Sequence, residues 1–168
     1  MASFVTDLKY TELARSRLEE FYYPTIAYCG QFVSIGKSAG SLWLQRNAHI
    51  DVIMATKKDG SVTVEEKIVR WLGWERDCIM IETHSDYPEL DGWIAVSKAD
   101  YLLYGFQLED RRLSVWVFDL PKLRAWFQPI ENSYKIVDTQ NRDWLTRCRL
   151  VPLKDIPVDC VKAKNKIV

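Results

Sequence analysis

Residues 61–71 read SVTVEEKIVRW, a β-branched run with two acids and a lysine at its centre. That composition predicts a strand. Side chains alternate faces along a strand, so Glu65 and Lys67 share one face, roughly 6.6 Å apart, and Glu66 takes the other. A further acid, Asp51, lies upstream in a second strand-like run. Two carboxylates that converge offer hard oxygen donors. Such donors suit Mg2+, or Mn2+ as its substitute, with waters, a backbone carbonyl and a substrate phosphate completing the coordination. An adjacent lysine can orient or deprotonate an attacking water and offset charge on a phosphorane-like transition state. The two carboxylates hold its pKa up when no metal is present, so a base role requires the metal.

These residues need a hairpin to bring them together. AHIDVIMATKKDGSVTVEEKIVRW contains two strand-like runs around Lys57-Lys58-Asp59-Gly60, and Asp-Gly is a strong turn signal. A three-residue loop with Gly60 left-handed pairs Lys57 with Ser61. Asp51 then faces Lys67, with Glu65 as its diagonal neighbour about 7 Å away. A two-residue Asp59-Gly60 turn would instead direct Asp51 toward Glu66 and Ile68.

The remaining elements are read from periodicity and caps. TDLKYTELARSRLEEFYY predicts a helix over 7–22, ended by Pro24. Residues 24–45 read as an irregular connection with one short strand. DCIMIETHSD supplies a third strand, and SKADYLLYGF opens at Ser97 and Asp100 like a capped short helix. RLSVWVFDL is a fourth strand, Asp119 and Pro121 open a helix at PKLRAWF, and TRCRLVPLKDIP adds another strand. Residues 160–168 are basic and polar and read as a frayed tail. The 168 residues form one domain. The fold class is α/β (α+β), built on a mixed sheet.

Asp51 followed by Glu65-Glu66-Lys67 on successive strands resembles the PD-(D/E)xK nuclease superfamily, the group with a restriction-endonuclease-like fold. Glu82 in IMIETHSD is similar to the acid that ends the third strand in such folds. GWIAVSKADYLLYGF is similar to the segment that opens the next helix in several small members. The resemblance covers about residues 47–119 and implies an αβββαβ core, a mixed central sheet flanked by helices. It implies a Mg2+-dependent endonuclease hydrolysing DNA to a 5′-phosphate and a 3′-hydroxyl. Asp51 and Glu65 would be metal ligands together with the Glu66 backbone carbonyl, and Lys67 the catalytic lysine. Ile50 stands where the name-giving proline would precede the aspartate. Glu66 stands where an apolar, core-facing residue is usual, so it is expected at the sheet's rim or paired with an arginine.

Acid-x-lysine also occurs at Asp7-Leu8-Lys9, a solvated helix start, so the tripeptide alone has little weight. The competing reading of Asp51, Glu65 and Lys67 is an exposed cross-strand ion pair worth under ~1 kcal/mol. Secondary site candidates are Glu82, Glu12 on the first helix, His49 beside the first strand and Ser97 at a helix start. Glu12 also reads as solvated helix face, His49 as a satisfied structural histidine and Ser97 as a cap. Lys57 and Lys58 are candidate DNA contacts.

Composition narrows the partners. The chain carries 23 basic and 23 acidic residues, and proteins that coat nucleic acid nonspecifically are usually markedly basic. DNA binding therefore requires a local basic face. The four cysteines lack CxxC spacing, which argues against zinc and for reduced thiols. No run of 18 apolar residues occurs, and the opening MASFVTDLKY lacks the order of a signal peptide. A cytoplasmic protein without membrane contact is expected. Homodimerisation is left open, and a catalytically silent DNA- or protein-binding module of the same fold is the alternative function.

Overall fold

The structure is a computed structural model that describes residues 12–27, 31–35, 44–45, 47–56, 60–70, 77–108 and 112–168. It is a mixed α/β fold with two sheets. Six strands form the larger, mixed sheet: β1 (Phe32–Ser34), β2 (Val52–Thr56), β3 (Gly60–Arg70), β6 (Tyr101–Gln107), β7 (Leu113–Asp119) and β10 (Val161–Ile167), in that spatial order. Among the described strand pairs, only β3 and β6 run parallel. The second, antiparallel sheet has the order β5 (Leu90–Asp91), β4 (Cys78–Asp86), β9 (Leu145–Pro152), β8 (Lys135–Gln140). The principal helices are α1 (12–26), α2 (Trp93–Val96) and α3 (Leu120–Phe127), alongside helical residues at 44–45 and 47–48 and short 3-10 turns at Gln128–Ser133, Leu153–Asp155 and Val158–Cys160. No described helix is long and apolar enough to cross a membrane.

The larger sheet separates two hydrophobic cores. On one face Ala14, Leu18, Tyr22 and Tyr23 of α1 pack on Val52, Met54, Val62, Val64 and Leu103. On the other, Leu102, Tyr104 and Phe106 meet Ile79 and Ile81 of β4, Trp93 of α2, and Leu123 and Phe127 of α3. Parity along β3 decides which core each side chain meets. Val62, Val64 and Glu66 face α1, while Glu65 and Lys67 pair with Leu102 and Tyr104 on the face toward the second sheet.

The first helix does not stop at Tyr22. It widens into a π-helical turn at Leu18–Tyr22 and resumes at Tyr23–Ile26. Pro24 falls in the first positions of the resumed segment, directly after the widened π-helical turn. The start expected at residues 7–11 lies outside the described residues.

The predicted hairpin forms with its register moved by two residues. Thr56 pairs with Gly60 and Val52 with Val64, so side-chain parity survives but Asp51 lies beside Glu65 and Glu66 rather than opposite Lys67. Gly60 has the expected positive φ of 73°.

Two expectations are corrected. The run after Ser97 is not a helix. A short helix ends at Ser97, and Tyr101–Gln107 is strand β6, bordered by β3 and β7. Leu102 to Gln107 are all buried, and a central strand covered on both faces reads as a continuous apolar run rather than an alternating one. Asp100 fastens this strand to β3 by accepting from the N–H and hydroxyl of Thr63, both at 2.8 Å. Residues 161–167 are not a frayed tail but strand β10, antiparallel to β7. Its end is fixed by reciprocal backbone bonds between Val168 and Leu113, at 2.8 and 3.0 Å. The third strand, β4, forms as expected but pairs with β9 in the second sheet. Helix α3 starts as predicted, with the Asp119 carboxylate accepting the Lys122 N–H at 3.1 Å.

Candidate functional site

Glu65 lies at the point where β3 faces the second sheet. Its side chain is only 2% exposed, and its Oε1 is 2.6 Å from Lys67 Nζ. Burial raises the Glu65 pKa to about 7; Lys67 opposes that shift, and Asp51 and Glu82 add to it. Burial also works against the charged form of Lys67, but Glu65, Glu82 and Asp51 outweigh it and leave the ammonium pKa raised. Lys67 is therefore a firmly protonated cation beside a carboxylate that titrates near neutrality. This is not an ion pair on an open face. The Lys67 ammonium also lies 6.0 Å from the Trp93 ring centre.

Asp51 sits one residue before β2, where the regular ladder ends. Its N–H donates to the Val64 carbonyl at 2.8 Å, and its Oδ2 accepts the Glu66 N–H at 2.9 Å. The other oxygen, Oδ1, accepts from Gln45 Nε2 at 3.2 Å and from Arg15 Nη2 at 3.1 Å.

Glu82 joins the cluster from β4. Trp93 N–H donates to its carboxylate at 3.4 Å. Burial raises its pKa, opposed by Lys67 and by that N–H. Gly92 makes the approach possible, because a Cβ there would lie 2.3 Å from the Glu82 carbonyl oxygen. The second sheet thus delivers the acid predicted at the end of the third strand, by a pairing the local sequence did not signal.

His49 adopts a left-handed backbone conformation (φ 48°), and its Nδ1 is 4.0 Å from Glu65 Oε1. Burial lowers its pKa, with Lys67 acting in the same direction and Asp51 against, so the ring is neutral at physiological pH. Ser97 is fully buried and acts structurally: its hydroxyl donates to the His49 carbonyl at 3.1 Å and accepts from Ala99 N–H at 3.3 Å. It ends α2 rather than starting a helix, so no anion-attracting helix N-terminus forms there. Glu12 is exposed on α1; the residue of that helix that reaches the cluster is Arg15. Lys57 and Lys58 lie outside the described residues.

On the α1 face, Glu66 is buried and paired with an arginine, one of the two placements expected of it. Arg15 Nε donates to Glu66 Oε2 at 2.7 Å and Nη2 lies 2.6 Å from the same oxygen, while the Tyr23 hydroxyl donates to Oε1. Burial raises the Glu66 pKa against the opposing pull of Arg15 and Tyr23. Sequence reading named the need for an arginine but not which one. Arg15 flanks the Ala14–Leu18–Tyr22 stripe on α1, a position that could have nominated it.

Asp51 and Glu65 are donors of the type Mg2+ prefers, and two carboxylates are enough for an ion that keeps several waters. Among the described residues no three His, Cys, Asp or Glu groups form a ready cage, so any hard cation here would rely on water or substrate oxygens. Arg15 already holds a position on Asp51 that such a cation would contest. A cavity of about 870 Å³, lined by Trp116, Leu153, Ile156 and Val158 among others, opens elsewhere and includes no member of this cluster. The cysteines described, at 78, 148 and 160, are free thiols, and burial pushes the Cys148 pKa up to about 12. Comparison with known proteins finds no matching family model, no matching curated protein and no matching solved structure.

Proposed function

We propose that this chain is a Mg2+-dependent phosphodiesterase acting on DNA, with Asp51 and Glu65 as metal ligands and Lys67 as the catalytic lysine. The observation that carries the reading is the Glu65–Lys67 pair at 2.6 Å, its carboxylate buried and its ammonium arm part-exposed, facing the second sheet within electrostatic reach of Asp51 and Glu82. Burying a carboxylate such as Glu65 costs several kcal/mol before any attraction is counted, a cost that an ion pair exposed at both ends avoids. The resemblance to PD-(D/E)xK nucleases supplies a use for that cost. Setting aside the short strands β1 and β5, the chain order α1, β2, β3, β4, α2, β6 is compatible with an αβββαβ succession, although β4 lies in the second sheet.

Bound at Asp51 and Glu65, with the Glu66 carbonyl as the third protein ligand of the resemblance, Mg2+ would supply charge neutralisation at the scissile phosphate. Lys67, held protonated, donates to a phosphate oxygen or the attacking water rather than abstracting a proton. Glu82 adds to the negative charge that keeps the ammonium protonated.

A second reading is favoured by one specific observation: Arg15 already pairs with both Asp51 and Glu66, as it would in a silent DNA- or protein-binding module. Incubating the purified chain with duplex, single-stranded and branched DNA, each with Mg2+ or Mn2+, separates the two. Metal-dependent cleavage abolished by Asp51→Ala and Glu65→Gln supports the nuclease. Metal-independent DNA or protein binding without cleavage on any substrate selects the silent module.

A further inference from the structure

Glu66 is the residue that departs from the apolar type usual beside such a site, and its surroundings give it a purpose. Arg15 makes two close contacts with Glu66, at 2.7 and 2.6 Å, and a single longer one with Asp51, at 3.1 Å. Its guanidinium is therefore anchored on the α1 face by Glu66 and reaches from there to Asp51, one residue before β2. Glu66 is 2% exposed at its side chain and is also held by Tyr23, whereas Arg15 is 30% exposed and has room to shift. We propose that Glu66 anchors Arg15 as a built-in counter-ion of Asp51, so that Arg15 and a divalent cation compete for the same carboxylate.

This rests on the reading of Asp51 as a metal ligand. A guanidinium stays charged at all accessible pH, so the competition is permanent. Loss of the Asp51 contact leaves both Arg15–Glu66 contacts in place, and no buried charge is stranded when the cation enters. The free protein then holds metal weakly, by an amount set from the opposite face of the sheet.

Mn2+ binding without DNA, measured by titration calorimetry and by electron paramagnetic resonance of the free ion, tests the proposal. The proteins compared are wild type, Arg15→Met and the double variant Arg15→Met/Glu66→Gln, which removes the stranded acid; circular dichroism checks their folding. Both variants should bind Mn2+ about 10-fold more tightly, within the usual range of coupling between competing sites. Binding that appears only when Arg15 is gone also supports the proposal. Unchanged or weaker affinity in a folded variant, with measurable wild-type binding, overturns the counter-ion role and leaves the metal site standing. No binding in any of the three overturns both. Wild type gives a readout that needs no variant: saturating Mg2+ should shift the Arg15 Nε–H resonance, and an unmoved resonance overturns the proposal.

Discussion

Glu65 is a carboxyl whose ionisation the fold resists. With a folded pKa of about 7 against an ordinary 4.5, the native state holds its proton more tightly than the unfolded chain between those values. Stability from this group is therefore fully present below pH 4.5, declines as pH rises to about 7 and is flat above, a change on the order of 3 kcal/mol. Glu65→Gln should flatten the dependence of unfolding free energy on pH between 4.5 and 7 and leave a more stable protein at pH 8. A denaturant titration series across pH checks this, and an unchanged slope would remove Glu65 from the account. Lys67 tests use rather than cost. Lys67→Ala lets Glu65 take up a proton, so the protein should still fold. It should still bind metal and DNA yet cleave at least ~100-fold more slowly, the scale of one lost transition-state charge contact. Cleavage at the wild-type rate by folded Lys67→Ala protein would reduce the pair to a structural one.

At the scale of elements, β10 carries the clearest prediction. It covers the outer edge of β7, ties Lys162 to Asp119 at 3.2 Å and buries Val161 against the core that holds the site. Deleting residues 161–168 should cost about 2 kcal/mol or more and lower Tm by roughly 4–8 °C, with aggregation through the uncovered edge. Scanning calorimetry and light scattering read this directly; an unaffected Tm would restore the frayed tail. Polarity misled at that position, because the lysines of a charged edge strand look like a solvated terminus. The β2–β3 hairpin, β7 and α3 were legible because their signals are local: a left-handed glycine, an alternating run, an N-cap with proline. β6 was not, since Ser97 to Asp100 imitate a helix cap and only burial on both faces explains Tyr101 to Phe106. The two-residue slip of Asp51 was also invisible, because Lys57 to Gly60 permit several loops of equal parity. The pairing of β4 with β9 joins segments some sixty residues apart, and no local pattern announces it.

The whole molecule has zero net charge and places charge on both faces of β3, Glu65 and Lys67 toward the second sheet and Glu66 toward α1. A cation that binds only the folded cluster must stabilise the entire fold. At a hundred times its dissociation constant, Mg2+ or Mn2+ should add about 2.7 kcal/mol and raise Tm accordingly. A melting point unmoved by millimolar concentrations of both ions would leave the charge cluster without the role proposed for it. The long-range pairing of the second sheet has a consequence in time. Glu65 and Lys67 are synthesised early, but Glu82 is set in place by β4, whose partner β9 ends at Pro152. Residues 145–152 must be made before that sheet can close, and strands so distant in sequence pair slowly. A growing polypeptide therefore forms the β2–β3 hairpin that carries Asp51, Glu65 and Lys67 well before Glu82 can join them, and the cluster is completed in two stages.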